Sequence, residues 1–143
     1  MWTPLPAYAE LHCLSSFSFQ RGASLPDELV ARAAARGSTA LAITDECSVA
    51  GVVRAHTQAR ELGLKLLLGA EFRVQNAAPP DTPEKPPQVL PHKSRPVAAA
   101  PDPEITLVVL AHNLQGWGNL CEFITAARSK APKGEYDVSL DGS

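Results

Sequence analysis

Residues 39–51, TALAITDECSVAG, constrain this chain more than any other stretch. Ala40, Leu41, Ala42 and Ile43 form an apolar run without charge, the pattern of a parallel strand covered on both faces. Asp45 and Glu46 follow at its carboxyl end. Two carboxylates in that position are costly unless something pairs with them. In parallel α/β folds the loops at this end converge, and ligands and metals are held among them. Ser48 supplies an N-cap for a helix beginning near Val49.

The flanking sequence repeats the strand–helix alternation. Residues 7–14, AYAELHCL, alternate weakly and read as a first strand, followed by a polar turn over 15–22. Ser24 as cap, Pro26 in the first turn, and Asp27 and Glu28 at the positive end of the dipole open a helix that closes at Gly37. A second helix is expected over 48–62, with Val49, Val52, Val53, His56, Ala59 and Leu62 as an approximate apolar stripe and Gly63 as its stop. Residues 64–68 are the third strand, with Glu71 beyond it and 72–74 as an extension. Over 76–104 the composition changes: nine of the 13 prolines fall there, and large apolar side chains are nearly absent. That composition reads as a disordered or polyproline-like insert. Residues 107–111 resume as a fourth strand, 115–119 as a turn, 120–128 as a helix, and 137–143 as a polar tail. The order predicts an α/β chain with a parallel sheet or barrel. A closed eight-strand barrel takes ~250 residues, so 143 residues amount to about half of one.

Bulk properties exclude several classes. A formal net charge of −2 gives no electrostatic footprint for nucleic acid. Cys13, Cys47 and Cys121 form no C-x-x-C pair, and an odd count without a secretory leader fits free thiols in a reducing cytoplasm. No apolar run reaches the length of a bilayer span. No P-loop, dinucleotide-binding glycine pattern or nucleophile elbow occurs.

Three strand ends carry ligand-type side chains: Glu10 and His12 on the first, Asp45 and Glu46 on the second, Glu71 on the third. Imidazole and carboxylates together suit zinc, manganese or iron, which polarise phosphate esters and acidify bound water. His112, after the fourth strand, is placed to approach the same face. Plainer roles fit the same residues, and spacing alone favours them: His12 as a hydrogen-bonded core histidine, Asp45 as a cap for the helix near Ser48. Cys13 and Cys47 read as packing, His56 as structural, His92 as exposed within the insert, and Arg21, Arg32, Arg36, Arg54 and Arg60 as a solvated surface.

The runs YAELHCLSSFSFQRGAS, ALAITDECSVAGVVRAH, GLKLLLGAEF and LVVLAHNLQGWGNLCEFI occur in that order. Together they resemble the PHP domain (polymerase and histidinol phosphatase), in particular that of bacterial C-family DNA polymerases of the polymerase III alpha type, and within it the error-prone branch. The resemblance spans about 7–136 and implies the first half of a PHP-type (β/α) barrel. It implies a metal set in which His12, Asp45 and Glu71 match ligands; Glu10, Glu46 and His112 are outer neighbours by their position at the strand ends. Leu14 stands at a second histidine of the family pattern, Glu46 and Cys47 replace a histidine and a glycine, and Arg21 holds the place of an aspartate before Gly22. These departures imply a degenerate site, with zinc or manganese as the cations it would take, and no catalytic residue in the chain.

By the same resemblance, the chain is the N-terminal PHP segment of an error-prone polymerase serving replication, DNA repair and translesion synthesis in the cytoplasm. Its partner is the polymerase core, which alone uses magnesium and nucleotides and through which DNA is met; that core lies outside this sequence, and no membrane is involved. Two other functions are open. One is a metal-dependent phosphoesterase of the histidinol-phosphatase type; the other is an interaction module docking through the proline-rich segment. An open half-barrel also exposes apolar strand edges, so poor stability is expected of the isolated chain.

Overall fold

A computed structural model of the chain describes residues 6–74 and 105–138. The expected insert over 76–104, with His92, and residues 139–143 of the expected tail lie outside the described residues. In order, the elements are β1 (Ala9–Glu10), α1 (Pro26–Ala35), β2 (Ala40–Ile43), α2 (Val52–Leu62), β3 (Lys65–Val74), β4 (Ile105–Leu110) and α3 (Leu114–Ser129). They form a curled four-strand half-barrel of mixed α/β type, with strand order β1-β2-β3-β4.

β1, β2 and β3 are parallel, with Leu41 beside Leu66 and Ile43 beside Leu68. The register continues past β2, where Glu46 bridges Glu71. β4 departs from the all-parallel expectation: it runs antiparallel to β3, with Val74 opposite Ile105 and Gly69 opposite Leu110. β3 runs unbroken over ten residues, so the expected strand and its extension over 72–74 are one element. Its second half, Gly69 to Val74, exists as strand because β4 supplies the ladder that β2 no longer reaches.

Strand alternation puts Leu66, Leu68, Ala70, Phe72 and Val74 of β3 on one face and Leu67, Gly69, Glu71 and Arg73 on the other. The helices cover the first face. Val30 and Ala33 of α1 and Ala55 and Ala59 of α2 pack on Leu41 and Ile43. Leu120, Ile124 and Ala127 of α3 pack on Ala70, Phe72 and Val74, and Phe123 meets the Phe72 ring edge-on at 4.9 Å. The opposite face carries Leu67 and Gly69 and, at its carboxyl end, Glu71 and Arg73.

Helix ends depart from the sequence reading where a stronger local bond competes. α1 begins at Pro26 with Leu25, not Ser24, at the N-cap; the Glu28 carboxylate accepts from the Leu25 amide at 2.8 Å. α2 begins at Val52 because Ser48 Oγ accepts from the Ala50 amide, holding 48–50 as a turn. Its buried residues are Ala55 and Ala59, whereas Val53 and His56 face solvent, which corrects the expected stripe and the structural role of His56. α3 takes in the expected turn, glycines included, because Asn113 caps it by accepting from the Gly116 amide at 2.8 Å.

Candidate functional site

The loop over 15–22 and the carboxyl ends of β2 and β3 build one cluster of polar and charged side chains. It starts from Thr44, whose amide donates to the Cys13 carbonyl while its Oγ1 accepts from the Cys13 amide. These bonds carry the strand beyond β1 alongside β2 and deliver His12 to the strand ends.

Asp45 is 1% exposed and turns back into the loop. Its carboxylate accepts from the Ser15 amide at 2.6 Å, from Ser15 Oγ at 2.7 Å and from Ser18 Oγ at 2.7 Å. Ser18 Oγ in turn accepts from the Glu46 amide at 3.0 Å. Asp45 therefore caps a loop, not the helix near Ser48. The Ser18 carbonyl accepts from the amides of Arg21 and Gly22 and closes the turn.

Glu71 is fully buried on the face opposite the helices. One of its oxygens meets His12 Nε2 at 2.6 Å, and the other accepts from Arg21 Nη1. The same Arg21 nitrogen donates to Glu46 at 3.0 Å. Glu46 also pairs with Arg73 Nε at 3.0 Å and accepts from Tyr136 Oη at 2.9 Å. The Arg73 amide donates to Tyr136 Oη, and Arg128 Nε donates to the Cys47 carbonyl at 2.9 Å. Burial alone would raise the Glu71 carboxyl, but hydrogen bonds from Arg21 and then His12, with their charges, hold it below the usual range. Hydrogen bonds to Glu71 and then Glu46 keep the Arg21 guanidinium protonated beyond its usual range. Burial, reinforced by Glu46 and opposed by the Arg73 amide, pushes Tyr136 up to about 12.

The structure brings His12, Glu46 and Glu71 together and places Asp45 beside them, facing the serines. Glu10 accepts from Tyr8 Oη and the His12 amide. His112 does not approach the cluster, contrary to expectation. Because β4 runs antiparallel, its end lies level with Leu68, and His112 lines a groove with Lys65, Leu66 and Trp117. Arg21, read as surface from its spacing but set at the position of a family aspartate by the resemblance, is central. Arg73, Arg128 and Tyr136 carried no sequence signal. Ser15 and Ser18 lie within the run YAELHCLSSFSFQRGAS, and their three-residue spacing is the available clue.

These donors do not fit a divalent cation as they stand. Asp45 already accepts three hydrogen bonds, Glu71 is divided between Arg21 and His12, and Arg21 Nη1 lies where the oxygens of Glu46 and Glu71 converge. Among the described residues, no group of three or more His, Cys, Asp or Glu side chains is arranged to hold a metal ion.

A half-barrel with charged residues gathered at its parallel strand ends is the first part of a β/α-barrel scaffold. The comparisons narrow this. The PHP domain model matches residues 10–141, and the chain belongs to the PHP domain family. It is 50% identical over 137 residues to an error-prone DNA polymerase of Ralstonia nicotianae, covering 96% of this chain and 11% of that protein. It is 48% identical over 132 residues to the error-prone DNA polymerase of Pseudomonas aeruginosa, covering 92% and 10%. The chain thus spans about a tenth of the length of these relatives, and the match is to their N-terminal PHP region, without the catalytic core. Among solved structures, an amidohydrolase from Chromobacterium violaceum with bound sulfate and no metal shares the fold at a TM-score of 0.57 and 24% identity, over 86% of this chain and 34% of that one. A protein from Bifidobacterium adolescentis, provisionally assigned as a metal-dependent phosphoesterase, does so at 0.53 and 22%, over 89% and 36%. No helix among the described residues is long and apolar enough to cross a membrane.

Proposed function

We propose that this chain is a structural segment of an error-prone DNA polymerase, supporting a polymerase core that it does not itself contain. One observation carries the reading: the strand ends where PHP relatives would place a cation are filled by Arg21 and tied to the scaffold through Glu46, Arg73 and Tyr136. The identity to error-prone polymerases supports that parent, and the proposal takes the cytoplasm, DNA repair and translesion synthesis as its setting. The core would meet DNA and use magnesium; this segment would hold the core's N-terminal side in shape.

His12, Asp45 and Glu71 have the donor chemistry for zinc or manganese, with Glu10 and Glu46 near them. The hydrogen bonds they already make, and the guanidinium between two of them, favour a structural role over a metal-dependent phosphoesterase of the histidinol-phosphatase type. The test deletes the matching residues from the full-length Ralstonia nicotianae polymerase. The expected result is loss of soluble yield and of primer extension; a deletion variant with unchanged extension contradicts the proposal. Hydrolysis of p-nitrophenyl phosphate by the isolated chain with zinc or manganese, lost on His12→Ala, would favour the phosphoesterase instead.

A further inference from the structure

On the reading that the chain supports a polymerase core, we propose that the loop over 15–22 is where that core docks. Phe17 and Phe19 seat in an apolar recess of the part that follows this N-terminal segment in its full-length relatives.

Three observations lead there. First, the loop shows apolar surface to water. Phe19 is 83% exposed and Phe17 40%, and Val53, in the first turn of α2, is 76% exposed. The Phe17 ring lies against Gly51 at that end of α2, close enough that a Cβ there would come within 3.1 Å of it. Open aromatic side chains are common anchors of protein interfaces. Second, the loop is fixed in shape although its tip is in water. The Asp45 carboxylate holds Ser15 and Ser18, and the Ser16 amide donates to the Ser24 carbonyl at 2.8 Å. Gln20 adopts a left-handed conformation, φ 60°, and Gly22 packs its bare Cα against the Ser15 carbonyl. Ser18 is pinned inward at 1% exposure, with a phenylalanine on either side of it left outside. A loop held in this way loses little freedom on binding. Third, the chain leaves the segment beside this loop. Glu46 is held by Arg21 of the loop and also by Tyr136 of the segment after α3, and Val138 shares a core cluster with Cys47. This chain covers only 11% of the Ralstonia nicotianae polymerase, at its N-terminal region, so the core continues from this side.

The test uses a chimera in which this chain replaces the matching residues of the Ralstonia nicotianae polymerase. Phe19→Cys is placed in the chimera and in the 143-residue chain, with Glu61→Cys on the exposed side of α2 as a control. Maleimide labelling at each new thiol is followed by mass spectrometry. Both thiols should react freely in the isolated chain. In the chimera the thiol of Phe19→Cys should react at least ~10-fold more slowly, because the centre of an interface excludes water, while Glu61→Cys is unchanged. Equal reaction of Phe19→Cys in a chimera that extends primers would overturn the docking site and leave the structural role standing. A chimera that extends no primer would remove the structural role and the docking site with it. Protection that grows with concentration in the isolated chain would assign the loop to a second copy, and protection that needs added DNA would assign it to nucleic acid; either overturns the proposal. Phe19→Asp keeps the test independent of the introduced thiol. It should leave the urea midpoint of the isolated chain unchanged and weaken primer extension by the chimera; unchanged extension would contradict the proposal.

Discussion

At the scale of residues, the cluster works as a set of paired charges. Asp45 is the residue on which the loop over 15–22 depends, since its carboxylate answers one amide and two hydroxyls. Asp45→Ala leaves all three donors without that partner, and we expect a loss of about 3 kcal/mol in urea unfolding. Glu71 sets a pH dependence. Its folded-state carboxyl is held below the ordinary value near 4.5, so the unfolded chain binds its proton first as pH falls. The stabilisation is fully present above that value and is lost as pH drops through the lower folded-state value. Urea midpoints between pH 6 and pH 3 should show an acid decline that is smaller in Glu71→Gln; an identical decline in both would contradict the assignment. Much of this was legible beforehand. Asp45, Glu46, Glu71 and His12 stand out as chemistry at strand ends. Their mutual arrangement did not, because Arg73, Arg128 and Tyr136 reach the cluster from β3, from α3 and from the segment after α3, and no local pattern links them to it.

At the scale of elements, the strand–helix order was readable from the alternation of apolar runs and helix start and stop signals. The direction of β4 was not: 30 residues outside the described structure separate it from β3, and LVVL carries the same apolar signal whichever way it runs. The antiparallel ladder of six residue pairs includes one close approach. A Cβ at Gly69 would collide with the Val109 carbonyl, so Gly69→Ala must push β4 away from β3. We expect a clear drop in melting temperature and loss of amide protection over Ile105–Leu110 in hydrogen exchange; unchanged protection would show that the approach is not tight. Phe72 joins the strand to α3 and is fully buried, so Phe72→Ala should cost about 3–5 kcal/mol in urea unfolding.

At the scale of the whole molecule, the half-barrel is unfinished among the described residues. β4 has a single neighbour, and Ile105, Leu107 and Phe123 remain 44–46% exposed beside it. Apolar strand edges of this kind pair with other chains. The isolated chain should therefore self-associate as concentration rises, visible as growing mass in light scattering; a monomer at every concentration would mean the edge is protected. The same surface suits a chain that spans a tenth of its relatives' length. The most direct test of the structural role adds the chain back in trans. The Ralstonia nicotianae polymerase, truncated of its matching residues, is assayed for primer extension with and without the purified 143-residue chain. Recovery of extension with a stoichiometric amount, at unchanged zinc content, is the predicted result. Truncated enzyme that extends primers equally well without the chain would contradict the account.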